Sequence, residues 1–325
     1  MVYRASHTLL ERPAAIKVLR PELREVPEAV QRFLAEARTT AAIRHPGIVE
    51  VYDYGYTSTG DAFLAMELLE GQTLGARLAA EGRLCVFEAL VLTRRIAAAL
   101  AAAHECGVVH RDLKPDNVFL VRDHEGGEVD QVKLFDFGVA TRDSGAFEPG
   151  TGFVLGTPAY MSPEQCRGAA DCDHRTDLYA LGCVLFELLT GEPPYGSTGT
   201  PDQLAIAHLQ LPVPDVHRRP GWPHEVRRLV AKLLQKRAGD RPRDALEVVS
   251  TLDRCLVNRR LALPAYPELR RFTRWIASVV SGLRVRLCPP TPPHPPATGS
   301  SAGSDADTPT VVVRRPGGAD RKSVV

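Results

Sequence analysis

The stretch TDLYALGCVLFELLTG (residues 176–191) narrows the fold more than any other part of this chain. It has helical length, ends at a glycine and is apolar nearly all round, so no face of it can lie against water. Such a helix has to be wrapped by others. VFEALVLTRRIAAALAAAHECG, PHEVRRLVAKLLQ and DALEVVSTLDRCL carry helical spacing and can supply the wrapping, which makes the second part of the chain a helical domain. At 325 residues and 44% hydrophobic content, there is material for one large domain or two modest ones.

The first seventy residues have a different texture. PAAIKVLR alternates as a strand, with Ala15, Lys17 and Leu19 on one face and Ile16 and Val18 on the other. PEAVQRFLAEARTTAAI reads as an amphipathic helix entered through Pro27, with Glu36 on the flank of its apolar stripe. IVEVYDYGY and AFLAMELLE have strand character and are separated by the turn-forming TSTGD. The expected organisation is therefore a sheet-rich unit over 1–69, a helical unit over 70–258 and an extension over 259–325.

That extension holds RRFTRWIASVVSGLRVRLC, a short amphipathic helix by pattern, and then CPPTPPHPPATGSSAGSDADTPT, whose proline, serine and glycine content predicts disorder. WIASVVSGL is far short of the ~20 apolar residues of a membrane helix, so no spanning segment is expected. A net charge of +1 gives no case for nucleic acid. Seven scattered cysteines, with no secretory signal at the start, fit a reducing cytoplasm better than a disulfide framework. CRGAADCDH, with Cys166, Cys172 and His174, lacks the second ligand pair of a zinc site.

Chemistry concentrates in VVHRDLKPDNVFLVRDHEGGEVDQVKLFDFGVA (residues 108–140). NVFLV and QVKLFDF flank HEGGE and form a hairpin by pattern, which sets Asn117 beside Asp136. Two oxygen donors at one edge suit Mg²⁺, a hard cation that takes one or two protein ligands together with substrate phosphates. Asp112 and Lys114 sit in the loop just upstream.

HRDLKPDN followed nineteen residues after Asn117 by DFG resembles the catalytic and metal-binding loops of protein kinases, and is closest to the bacterial, eukaryotic-like Ser/Thr branch. The resemblance covers the chain to about residue 258. It implies an α+β, two-lobed fold with a small β-rich N-lobe and a larger helical C-lobe. It also implies a cytoplasmic enzyme that transfers the γ-phosphate of ATP, with Mg²⁺, to Ser/Thr hydroxyls of protein substrates. On it, Asp112 accepts or orients the hydroxyl proton, Lys114 steadies the phosphoryl group, and Asn117 and Asp136 hold the metal. Ala15 roofs the adenine, Lys17 reaches the phosphates and pairs with Glu36, Met66 lines the back of the pocket, and the backbone from Glu67 to Leu69 is the hinge.

LGTPAYMSPEQ resembles the family's substrate-docking segment, so Glu164 is expected to pair with Arg241 and Asp177 to brace the backbone near His110 and Arg111. Between DFG and that segment, Thr151 is the leading candidate for autophosphorylation, ahead of Ser144 and Thr141. In the family a glycine-rich GxGxxG loop precedes a strand like VYRASH, and here Met1 stands at that strand. The expectation is an N-lobe without its first strand and lid, with an unpaired sheet edge. Two readings stay open: an active enzyme whose start lies further upstream, or a kinase-shaped scaffold that no longer transfers phosphate.

Overall fold

The computed structural model describes residues 1–8, 11–121, 131–137, 158–168, 172–216 and 221–262, together with two short strands, 311–314 and 323–324. The first half of the fold is built on antiparallel strands. β1 (Val2–His7), β2 (Pro13–Val18), β3 (Val51–Tyr56) and β4 (Ala62–Glu67) pair in the order β3-β4-β2-β1. The alternation in PAAIKV is realised: Lys17 and Ala15 lie opposite Leu64 and Met66 on β4, and opposite Val2 and Arg4 on β1. One sheet face therefore carries Val2, Arg4, Ala15, Lys17, Leu64 and Met66.

On that same face α1 (Pro27–Ala41) packs through Phe33 and Ala37 against Leu64, with Leu19 joining from just beyond β2. The opposite face is held by a small cluster of Ala5, Ile16 and Ala65. The chain leaves β4 at Glu67, crosses at 68–70, and forms β5 (Gly71–Thr73) and α2 (Leu74–Glu81), which Thr73 caps through its hydroxyl on the Ala76 amide.

The helical part is organised as expected. α3 (Val86–Glu105) lies against α5 (Arg175–Thr190), whose side chains are buried at Thr176, Asp177 and nearly every position to Leu189, with Glu187 the exception. Gly191 ends α5 in the left-handed conformation, φ 91°. β6 (Val118–Val121) and β7 (Gln131–Leu134) form the expected antiparallel hairpin, with β5 beside β6. α4 (Pro163–Cys166), α6 (Pro201–Gln210), α7 (His224–Leu233) and α8 (Ala245–Ala262) complete the shell, α8 running past residue 258.

The sequence pattern misses α2, α6 and β5. It also misses one long-range pairing, which corrects the expected open edge. β8 (Val311–Arg314) lies antiparallel to β1 on the side away from β2, and β9 (Ser323–Val324) pairs with β8, so β1 is flanked on both sides from Arg4 to His7. These strands fall within the extension read from composition as disordered. The amphipathic pattern over 270–288 lies outside the described residues.

Candidate active site

The cleft between the sheet and the helices gathers the charged residues singled out above. β2 presents Lys17 from the face on which α1 packs, so Glu36 on α1 meets it across a short gap. Lys17 Nζ lies 3.3 Å from Glu36 Oε1 and 2.8 Å from Asp136 Oδ1. The side chains of Lys17 and Glu36 are only 22% and 17% exposed, so this triad sits largely out of water. Burial alone would lower the Lys17 ammonium, but the two carboxylates prevail and hold its pKa above the usual lysine range. Burial pushes Glu36 up to about 7, against the pull of Lys17 and aided by the negative charge of Asp136.

Asp136 is positioned by the β6–β7 hairpin. Val118 pairs with Leu134, and the Phe135 amide donates to the Asn117 carbonyl at 3.3 Å, so Asn117 and Asp136 emerge at the same end of the ribbon. Asp136 takes φ 56°, a left-handed conformation uncommon for a residue with a Cβ. The hairpin is itself pinned: Val49 N–H donates to Leu134 O at 2.9 Å, and Leu134 N–H to Gly47 O at 2.8 Å. Phe137, fully buried, stacks against the His110 ring at 4.6 Å.

The loop before β6 is tied to itself and to α5. Lys114 Nζ lies 2.7 Å from Asp112 Oδ2, and Asn117 Nδ2 donates to that same oxygen at 3.0 Å and to the Asp112 carbonyl at 2.8 Å. With its amide nitrogen committed there, Asn117 keeps its side-chain oxygen for another partner. Asp177 accepts the His110 and Arg111 amides, each at 2.8 Å, and His104 Nε2 lies 2.8 Å away. Full burial would raise Asp177, yet these donors hold its carboxyl below the ordinary range. Arg111 takes φ 63°, so the bracing fixes a backbone geometry that an unsupported loop would avoid. Burial lowers His110, keeping the ring neutral.

The segment 158–166 is anchored by the ion pair expected from the motifs. Arg241, with a fully buried side chain, grips Glu164 with two bonds of 2.6 and 2.8 Å, and Thr176 adds its hydroxyl to Glu164 at 2.9 Å. This fork holds Glu164 below the carboxylate range in spite of burial. Gln165 Nε2 donates to the Arg111 carbonyl at 2.7 Å, joining segment and loop directly.

Ala15 is buried opposite Met66, and Glu67 ends β4 with its amide on Glu50 O at 2.9 Å and its carboxylate paired with Lys133. Leu69 lies in the irregular crossing at 68–70. Thr141, Ser144 and Thr151 lie outside the described residues. Val2 was missed: it is 59% exposed and directly opposite Lys17, on the face shared with Ala15. The signal was available, since an apolar residue at the first position of VYRASH lies in register with the lysine.

Residues 1–251 match the family described as protein kinase domain. The chain is 39% identical over 251 residues to the serine/threonine-protein kinase pkn3 of Myxococcus xanthus, covering 75% of this chain and 45% of that protein. It is 39% identical over 236 residues to PrkC of Bacillus subtilis, covering 72% of this chain and 35% of PrkC. With PknA of Mycobacterium tuberculosis it shares 38% over 239 residues, covering 72% and 53%. The chain thus spans about half or less of the length of these curated relatives. Among solved structures, the PknI kinase domain of Mycobacterium tuberculosis superimposes with a TM-score of 0.59 at 28% identity, covering 78% of this chain and 90% of that one. A two-lobed fold, a braced HRD loop, a DFG aspartate reaching the strand lysine, and these relatives agree: the chain belongs to the protein kinase domain family.

Proposed function

We propose that this chain is a Ser/Thr protein kinase that transfers the γ-phosphate of Mg-ATP to hydroxyls of protein substrates. The observation that carries this reading is the pair of linked clusters across one cleft, Lys17–Glu36–Asp136 above and Asp112–Lys114–Asn117 below. Phosphoryl transfer asks for positioning and neutralisation of phosphate charge rather than for covalent chemistry by the protein, and this arrangement supplies both.

Ala15, Met66 and Val2 present apolar contacts to an adenine ring, and the backbone from Glu67 to Leu69 offers it hydrogen-bonding groups. Lys17, oriented by Glu36, pairs with the phosphates. Asp112 accepts the proton of the attacking hydroxyl, and Lys114, now on Asp112 Oδ2, is within reach of the transferring group. Asn117 and Asp136 are hard oxygen donors at one ribbon end, which fits Mg²⁺ with few protein ligands. When bound, the ion neutralises charge on the phosphates. Lys17 Nζ lies 2.8 Å from Asp136 Oδ1, so the carboxylate that would hold the ion also sits beside the lysine that would pair with the phosphates.

Thr157 and Lys114 match the Ser/Thr branch. Autophosphorylation at Thr151 forms part of this proposal: Arg111 directly precedes Asp112, and a phosphate on the segment after DFG can form a charge-assisted bond with such an arginine. A cytoplasmic setting accords with the six free cysteines among the described residues, none of whose helices is long and apolar enough to cross a membrane.

The test compares the chain with Lys17→Met and Asp112→Asn for transfer of labelled phosphate from Mg-ATP to a generic basic protein. The expected result is a loss of at least ~100-fold in both variants, with nucleotide binding retained by Asp112→Asn. Equal background activity in all three would identify a scaffold instead.

A further inference from the structure

α6 places His208 in its last turn, where the side chain is fully buried. The backbone there is pinned from the helical side. Lys236, just beyond α7, donates to the His208 carbonyl at 2.6 Å and to the Tyr195 hydroxyl at 2.7 Å, bringing a cation to a helix end whose carbonyls lack intrahelical partners. The ring meets Tyr195 and Tyr179 edge-on, with their centroids 4.9 and 5.6 Å away. Nδ1 lies 2.9 Å from the Tyr179 hydroxyl on α5. Nε2, on the other side, is buried without a hydrogen bond of ordinary geometry and faces the backbone of Pro158 and Ala159.

Those two residues belong to the turn 158–160, at the start of the segment that resembles a substrate-docking loop. The rest of that segment has ties of its own. Tyr160 donates to Glu187 at 2.7 Å, Gln165 to the Arg111 carbonyl at 2.7 Å, and Met161 and Cys166 pack against Ala205 of α6. Tyr160 is close enough to Asp116, four residues after Asp112, to feel its negative charge. The turn therefore stands beside the loop proposed above for catalysis.

We propose that His208 is a positioning residue: its Nε2–H, aimed at the Pro158 and Ala159 carbonyls, sets where the turn 158–160 stands, and the turn so placed holds the polypeptide acceptor against Asp112. The acceptor half rests on the Ser/Thr kinase reading above; the placement of the turn does not.

The partners fix the tautomer. A backbone carbonyl only accepts, whereas the Tyr179 hydroxyl can donate or accept. The arrangement without opposed lone pairs puts the ring proton on Nε2 and leaves Nδ1 to take the hydroxyl proton. Burial lowers the ring's pKa to about 4, so it is neutral near neutral pH and Nε2 is its single donor. Lys236 and the two tyrosines hold the ring from the helices, which presents that donor to the turn at a set place.

Three substitutions separate the two nitrogens. The amide of His208→Asn reaches the place of Nδ1, that of His208→Gln reaches the place of Nε2, and His208→Phe supplies neither. Nitrogen-15 NMR of the histidine-labelled parent reports the tautomer, the His208 signal being the one absent from His208→Gln. Hydrogen exchange follows the amides of residues 159–162. Steady-state kinetics compare transfer of the γ-phosphoryl group from Mg-ATP to a generic basic protein with its slow transfer to water, which needs no docked polypeptide.

The expected result is an Nε2–H ring, with exchange at 159–162 faster in His208→Asn and His208→Phe than in the parent or His208→Gln. Those two variants should lose on the order of tenfold in kcat/KM for the protein, with transfer to water and the KM for ATP unchanged. An Nδ1–H ring overturns the proposal. So does His208→Gln falling as far as His208→Asn, or an equal fall in transfer to protein and to water, which a general loss of structure would give. If the parent transfers phosphate to neither acceptor, the kinase reading fails, and the tautomer and exchange rates alone decide the placement of the turn.

Discussion

Glu36 is held between opposing demands: burial favours its protonated form, and Lys17 favours its carboxylate. With its folded pKa raised from 4.5 to about 7, the folded chain binds more protons at this site than the unfolded chain between those values. Its contribution is fully present at low pH and is lost as pH rises through about 7. In the nucleotide-free protein, stability relative to Glu36→Gln should fall by about 3 kcal/mol between pH 4 and 8, read by urea unfolding at a series of pH values. A flat difference would mean that Glu36 stays ionised throughout. The Arg241–Glu164 fork makes a separate prediction. Arg241→Met strands a largely buried carboxylate and should cost about 3–5 kcal/mol, whereas Arg241→Met with Glu164→Leu should recover much of that loss.

Among the elements, α5 is the least tolerant. A Cβ added at Gly182 would come within 2.7 Å of Leu233 Cβ on α7, so the glycine lets two helices approach more closely than any larger residue allows. Gly182→Ala should destabilise the fold by about 1–3 kcal/mol, seen as a shift in the thermal midpoint with the fold retained. Gly75 on α2 meets a different neighbour: its added Cβ would fall 2.4 Å from Asp116 Oδ1, next to Asn117. Gly75→Ala should lower kcat more than stability, because the displaced group belongs to the loop proposed above for catalysis. Retained kcat in that variant would show that the loop adjusts without moving Asn117.

What could be read from the sequence at this scale follows physical lines. α3 and α5 are legible because burial on all sides demands continuous apolar sequence, and β2 because one buried face demands alternation. α6 was missed although Thr200 and Gln203 form a capping box, since PDQLAIAHLQ leaves Ile206 exposed and has no clean stripe. α2 was missed because Gly75, required by Asp116, weakens the helical signal. HRDLKPDN and DFG pointed to the candidate site, but the 2.8 Å contact from Lys17 to Asp136 joins residues 119 apart, and no local pattern encodes it. β8 is the extreme case, a four-residue strand whose partner lies at the opposite end of the chain.

Across the whole molecule, apolar packing is unevenly distributed. The helical part shares one continuous buried cluster running from Ile43 to Cys255, while the sheet relies on two small ones centred on Phe33 and Ile16. Hydrogen exchange should accordingly show β1 and β2 opening at lower free energy than α3 and α5. Equal protection throughout would mean that the sheet and helices unfold as one unit. The bonds from Gly47 and Val49 to Leu134 add a mechanical consequence. The segment 42–49, which joins α1 to β3, is clamped to the ribbon that carries Asp136, and the chain crosses from the sheet to the helices at 68–70. A swing of the upper half over the lower turns about the line through these two attachments. A side chain near that axle, such as Asp136, travels little, while the part of the sheet farthest from it sweeps the widest arc.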